Sequence, residues 1–339
     1  MDGRGTRRRI AGGAALAVAL VLTAVALWWD GAPWRGAAEP TAVPSPSGSV
    51  RLVSAEPVGE RGRALEVYSP ALGRVAKVRL LLPRGWRAGS GPWPLLFLLH
   101  GCCDLGEPPL RPGVGDTDWI MKGEAERITR DAPVIVVMPE GGEVGFYSDW
   151  VRGPRWETFH LRELIPLLER EFGAGDRRAV AGLSMGGFGA LAYAGRHPDL
   201  FQAAASFSGV VDIRFSPGRL LSLFRREGVD PYAVWGNPMT EPHAWAAHNP
   251  ADLAAALRGK YVYVSCGNGE PGPLDEESRG FDGVEAHLLT EARRFVAAAE
   301  QAGVTVDADF YGPGTHTWPY WIRGLERALP GMLRALGVS

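Results

Sequence analysis

The fold class this sequence predicts is α/β, with a mostly parallel central sheet and helices on both faces. Three observations carry it. Short apolar runs alternate with longer amphipathic stretches along most of the chain. A Gly-x-Ser-x-Gly pentapeptide joins one such run to one such stretch. The 339 residues, 46% hydrophobic and 22% charged, suffice for one large folded domain. Composition also excludes several classes. The net charge of −2, with no Lys/Arg run longer than a pair after residue 9, offers nucleic acid no general attraction. Three cysteines, two of them adjacent at Cys102 and Cys103, form no C-x-x-C pair, so zinc ribbons and disulfide scaffolds are excluded.

Residues 1–30 read as a targeting segment. Arg4, Arg7, Arg8 and Arg9 precede an uncharged apolar run from Ile10 to Trp29. As a helix that run would be roughly 30 Å long, enough to cross a bilayer. It predicts either a signal peptide, with small residues for cleavage at Ala24-Val25-Ala26 or Gly36-Ala37-Ala38, or an N-terminal membrane anchor. The flanking arginines put the body on the extracytoplasmic side in both cases. Residues 31–50, rich in Pro, Ala and Ser, read as a linker, and 51–339 as the catalytic domain.

Within the body, Leu65–Tyr68 and Val75–Leu82 are expected as strands joined by a turn at Pro70 and Gly73. Buried strands are expected at Pro94–Leu99, Pro133–Met138, Ala179–Leu183, Ala203–Phe207, Tyr261–Ser265 and Val304–Phe310. Helices are expected at Glu124–Arg130, Thr158–Phe172, Met185–Arg196, Val284–Ala302 and Tyr320–Leu336. In Thr158–Phe172, Leu161, Leu164, Ile165 and Leu168 fall on one face at helical spacing. The segment 211–257 breaks the alternation with Pro, Trp and Asn and reads as an insertion above the sheet.

Gly182-Leu183-Ser184-Met185-Gly186 carries the chemistry. Chance alone gives roughly 0.26 such pentapeptides in this composition, so the pattern gains its weight from its place between strand and helix. A serine nucleophile needs a base, and in an α/β hydrolase the order is Ser, acid, His. Of seven histidines, His100 and His160 precede Ser184, and His197 ends the following helix, where capping carbonyls is its expected role. His243 and His248 fall in the insertion, without the spacing of a zinc site, and His287 lies in an expected helix. His316 stands in a Gly-rich loop after the last strand, where this architecture delivers its base. The acid should follow the strand Tyr261–Ser265. Glu270, Asp275, Glu276, Glu277, Asp282 and Glu285 are candidates, and position alone favours the early ones. The oxyanion donors should be the N–H groups of Met185 and of Cys102, in the loop after Pro94–Leu99. The adjacent cysteines read as buried, inert thiols beside the site. No metal, nucleotide or flavin motif is present in the sequence, and no cofactor is expected.

From about residue 70 onward the chain resembles the "putative esterase" branch of the α/β hydrolases, and within it the secreted mycolyltransferases of the antigen 85 type. The matching strings are Phe146-Tyr147-Ser148-Asp149-Trp150, Trp156-Glu157-Thr158-Phe159, Gly182-Leu183-Ser184-Met185, Cys266-Gly267-Asn268-Gly269 and Gly314-Thr315-His316-Thr317-Trp318-Pro319-Tyr320-Trp321. The resemblance implies Ser184 as nucleophile, His316 as base and, on the segment after the Cys266–Gly269 loop, Glu285 as acid. It also supports Cys102 and Met185 as oxyanion donors. Trp150 and Trp156 are expected to be packing residues. One departure bears on function. Where the acyltransferases carry Asp-Gly-Leu-Arg, whose Asp and Arg serve the trehalose acceptor, this chain has His100-Gly101-Cys102-Cys103.

The expected protein is therefore an exported serine esterase acting on acyl esters, lipid or glycolipid among them, through an acyl-enzyme. The alternative is an acyltransferase that passes the acyl group to a sugar or glyceride hydroxyl. A third reading, a non-catalytic wall-binding relative, predicts a broken triad. Contact with a membrane is expected only through the N-terminal segment.

Overall fold

The structure, a computed structural model, describes residues 48–102 and 115–338. The targeting segment, most of the linker, and Cys103 lie outside the described residues. Among the described residues no helix is long and apolar enough to cross a membrane.

Among the described residues nine strands form one sheet: β1 (Arg51–Val58), β2 (Gly62–Ser69), β3 (Arg74–Leu81), β4 (Trp93–Leu99), β5 (Ile135–Pro139), β6 (Ala174–Leu183), β7 (Ala203–Phe207), β8 (Tyr261–Cys266) and β9 (Val306–Phe310). Their spatial order is β1-β2-β3-β5-β4-β6-β7-β8-β9. Neighbours from β5 to β9 pair in parallel, whereas β1/β2, β2/β3 and β3/β5 are antiparallel. Every expected strand is present. β4, β5, β7 and β8 are apolar and buried on both faces almost throughout, as a sheet covered twice requires, whereas the edge strand β9 carries the exposed Asp307.

Side chains alternate across the sheet with period two, and so divide the core. Leu95, Phe97, Leu99, Ile135, Val137 and Val180 face one layer, with the helices Ile165–Phe172, Met185–Arg196 and Gly283–Gln301. Leu96, Leu98, Val136, Met138, Ala179 and Ala181 face the other, with the helix Trp318–Ala335 and Trp119. Trp156 is buried and Trp150 packs against the first layer, so both are packing residues.

Four details differ from expectation. β1 was not anticipated, because it is an edge strand held by backbone pairing to β2, with Val53 and Val58 exposed. The helix Gly115–Met121 was also missed, although Trp119 is fully buried within it. The apolar stripe at 161–168 is buried as expected, but its first turns, Phe159–Leu164, widen into a π-helix. His197 caps no carbonyl with its ring. Its Nε2 instead meets Glu157 Oε1 at 2.6 Å, beside Arg196 on the same carboxylate. The insertion contributes Phe224, Trp235 and Trp245 to the first layer, around Phe146 and Phe188.

The helix after β6 docks against the end of β4 only because Gly186 lacks a side chain. A Cβ there would lie 2.2 Å from the Leu99 carbonyl oxygen and 2.6 Å from that of His100. Neither backbone atom can yield. Gly186→Ala should therefore lose about 2–3 kcal/mol of stability by urea unfolding, and an unchanged midpoint would contradict this packing.

Candidate active site

Parallel pairing brings the C-terminal ends of β4, β6, β7, β8 and β9 to one edge, where such sheets place their sites. Register decides who meets whom. Leu99 is opposite Gly182, Leu183 opposite Phe207, and Phe207 opposite Ser265. The residues that come side by side at this edge are therefore Gly101, Ser184, Ser208 and Cys266, the last residue of β8. Backbone bonds extend the pattern one residue further, from Ser184 N–H to Phe207 O (2.9 Å) and from Ser208 N–H to Ser265 O (2.8 Å).

Ser184 links β6 to the helix Met185–Arg196 with no intervening loop. It takes φ 52° and ψ −117°, a region that L-residues avoid. Such a turn lifts the side chain clear of both elements, and Ser184 is 8% exposed at the sheet edge. Gly182 is required there too, since a Cβ on it would sit 2.3 Å from the Gly186 carbonyl.

His316 comes from the loop after β9. Its Nδ1 lies 2.8 Å from Glu285 Oε2, and its ring meets the edge of Trp321 with centroids 4.9 Å apart at 81°. Glu285, in the first turn of the helix Gly283–Gln301, is completely buried. Its other oxygen accepts from Gly267 N–H (2.7 Å) and Ser208 Oγ (2.8 Å), with Tyr311 Oη and Cys266 Sγ each at 3.3 Å. Burial beside this carboxylate pushes the Cys266 thiol and the Tyr311 hydroxyl well up, so both stay protonated donors.

Ser184 and His316 open on one cavity of about 250 Å³, which Gly101, Cys102, Lys122 and Trp318 also line. Gly101 passes so close that a Cβ on it would touch Ser184 Cβ at 3.3 Å and clash with Leu183. Met185 begins the helix, where N–H groups lack intrahelical acceptors. Cys102 is half-buried rather than buried, and unpaired. Among the described residues no group of three His, Cys, Asp or Glu is arranged to hold a metal ion.

The other carboxylates considered for the acid have other partners. Asp275 accepts from Tyr320 Oη at 3.0 Å and from the Thr315 hydroxyl, tying down the loop that carries His316. Glu270 approaches Asn268 Nδ2 at 3.4 Å, while Glu276 and Glu277 are solvent-facing. Asp282 caps the Glu285 helix through Val284 N–H (2.9 Å) and Glu285 N–H (3.1 Å), and accepts His316 N–H at 3.0 Å. Burial alone would raise its carboxyl, but the N–H groups of Glu285 and His316 outweigh that and hold it below the usual range.

Sequence reasoning missed Ser208. It sits at φ 47°, donates to Glu285 and accepts from Trp321 Nε1 at 3.2 Å. The only signal was a serine just past an apolar strand, which many serines share. Asp282 joins both halves of the site, and this is testable. Asp282→Ala should lower unfolding free energy by about 1–2 kcal/mol in urea and Asp282→Asn by less; equal losses would deny the cap.

Residues 69–332 match the family described as "Putative esterase". The chain is 32% identical over 264 residues to the esterase Rv1288 of Mycobacterium tuberculosis, covering 73% of this chain and 54% of that protein. It thus spans about half the length of that relative. It is 31% identical over 291 residues to the diacylglycerol acyltransferase/mycolyltransferase Ag85A of Mycobacterium ulcerans, covering 81% and 82% of the two chains. In fold it is similar to Mycobacterium tuberculosis MPT51 (TM-score 0.69, 24% identity, 82% of this chain and all of the other). It is also similar to an S-formylglutathione hydrolase from Agrobacterium tumefaciens (TM-score 0.59, 19% identity, 84% and 99% covered). The α/β-hydrolase fold, the strand-to-helix Ser184 and the match over most of the domain together place this chain in the esterase family, among relatives that include the antigen 85 acyltransferases.

Proposed function

We propose that this protein is an exported serine esterase in which Ser184, His316 and Glu285 form the catalytic triad. The observation that carries the reading is the 2.8 Å contact from His316 Nδ1 to Glu285 Oε2, on the same cavity as Ser184. With Nδ1–H donated to the carboxylate, Nε2 is the basic nitrogen. It takes the Ser184 proton as Oγ bonds to the ester carbonyl carbon, and Glu285 stabilises the imidazolium. The tetrahedral oxyanion accepts from the N–H groups of Cys102 and Met185. Its collapse breaks the ester C–O bond, and the alcohol leaves with the proton from Nε2. Water, deprotonated by His316, then attacks the acyl carbon; the acyl–Oγ bond breaks, Nε2 returns the proton to Ser184, and the acid leaves.

The same acyl-enzyme supports a second reading, transfer to a sugar or glyceride hydroxyl, which the 31% identity to Ag85A over most of both chains favours. Hydrolysis is favoured by the loop after β4. His100, which stands where the acyltransferases carry an acceptor-binding Asp, is 4% exposed and presents nothing to an acceptor. Export rests on the arginines at 4–9 and the apolar run Ile10–Trp29, whether cleaved or kept as an anchor.

Short- and long-chain p-nitrophenyl esters, with and without trehalose or glycerol, test the reading. Free acid as the sole acyl product is expected. An acylated sugar or glyceride would make the protein a transferase, and silence on every ester would favour a binding protein. Ser184→Ala should lower kcat by at least about 10³-fold. Glu285→Gln should cost about 10²–10⁴-fold and Glu270→Gln less than about threefold; the reverse order would reassign the acid.

A further inference from the structure

The segment between β8 and the Glu285 helix carries an apolar surface that the triad does not use. Leu274 is 44% exposed and Phe281 67%, with Val284 at 38% where the helix begins. Large apolar side chains scattered singly over a surface need no explanation, but three between residues 274 and 284 do. The backbone beneath them is well held. Leu274 N–H donates to Tyr320 Oη at 3.2 Å, Tyr320 Oη donates to Asp275 at 3.0 Å, and Asp282 N–H donates to the Gly269 carbonyl at 2.7 Å. Tyr320 is itself stacked flat on Tyr311, with centroids 5.2 Å apart. The loop thus presents its apolar side chains to solvent from a bonded frame.

Leu274, Phe281 and Pro319 line a second cavity of about 660 Å³. It shares Arg279, Asp282 and Thr317 with the cavity of Ser184 and His316, and Val284 lines the latter. The two are therefore neighbours across the Arg279–Asp282 ion pair, at 3.0 Å. Proton transfer decides which part of an ester comes this way. In the tetrahedral intermediate the oxyanion faces the Cys102 and Met185 N–H groups, and the leaving oxygen must lie by His316 Nε2 to receive its proton. The alcohol therefore departs on the His316 side. The shared residues are on that side too, since Thr317 follows His316 in the chain and Asp282 accepts the His316 N–H at 3.0 Å. We propose that the second cavity is the subsite for the alcohol part of the substrate, with Phe281 and Leu274 as its contact surface, and that this alcohol is a large, neutral, apolar one such as an aryl-alkyl alcohol. Charge fits a neutral group: Asp275, Glu276 and Asp282 line the cavity against the Arg279 guanidinium, which disfavours an anionic alcohol. The inference rests on the reading of His316 as the base that protonates the leaving oxygen.

Ethyl butyrate and naphthylethyl butyrate share an acyl group and have alcohols of similar acidity, so the ratio of their kcat/KM values reads the alcohol side. Alcohol release, followed by chromatography, should favour the naphthylethyl ester about tenfold or more in the native chain. That preference should fall about tenfold in Phe281→Ser and about threefold in Leu274→Ser. Val53→Ser, which removes a comparably exposed side chain from β1, should leave it within about twofold. Ethyl octanoate against ethyl butyrate reads the acyl side, and this ratio should move less than about twofold in Phe281→Ser. A native chain without the naphthylethyl preference, a preference that survives Phe281→Ser, or a loss that appears in the octanoate ratio instead would each overturn the proposal and leave the esterase reading intact. A native chain that hydrolyses none of these esters would overturn both. The native preference needs no variant to fold, and each ratio is internal to one protein sample.

Discussion

The backbone at Ser184 is the constraint on which the rest of the site depends. The chain passes from β6 into a helix through one non-glycine residue at φ 52°, a conformation that costs of order 1–3 kcal/mol. It persists because its surroundings allow nothing else. Ser184 N–H is bonded to the end of β7, Gly182 and Gly186 touch backbone to backbone, and Gly186 also abuts the carbonyls of Leu99 and His100. Ser184 and the Gly101 loop are thereby brought to one cavity at the sheet edge. Strain at a single residue, held by parallel pairing on both sides, sets the position of Ser184 there.

Burial makes the second demand. A buried carboxyl needs protein hydrogen bonds in place of the water it loses. Glu285 has donors from four directions: the Gly267 backbone, Ser208 from the end of β7, Tyr311 past the end of β9, and the His316 ring. Trp321 donates to Ser208 and packs its ring against His316, so one side chain braces both partners of the carboxylate. Asp282, through the His316 N–H, and Asp275, through the Thr315 hydroxyl, tie the His316 loop to the segment that leads into the Glu285 helix. The histidine can thus come from a Gly-rich loop and still occupy a defined place.

Much of this was legible in the residues, and the gaps have physical causes. The parallel strands stood out because burial on both faces leaves continuous apolar runs, as at Leu95–Leu99 and Val134–Met138. β1 did not, because an edge strand stabilised by backbone pairing can carry exposed and charged side chains throughout. The proposed nucleophile Ser184 was suggested by its flanking glycines, and the proposed base His316 by its place after the last strand. The proposed acid was not suggested by spacing. Six carboxylates follow β8 within twenty residues, and what distinguishes Glu285 is its complete burial and the company of Ser208, Gly267 and Tyr311, which only the fold brings together. His197 was misread for a related reason, since its partner Glu157 lies forty residues earlier on another helix.

On the proposed reading Ser184 is a nucleophile made reactive by His316 and Glu285, and covalent capture would detect this. The purified protein would be treated with an alkyl fluorophosphonate and the modified peptide mapped by mass spectrometry. One phosphonyl adduct is expected, on Ser184, formed rapidly by the native chain and about 10²-fold or more slowly by Glu285→Gln. An adduct on another residue, or labelling of Ser184 at the same rate without the Glu285 carboxylate, would contradict it.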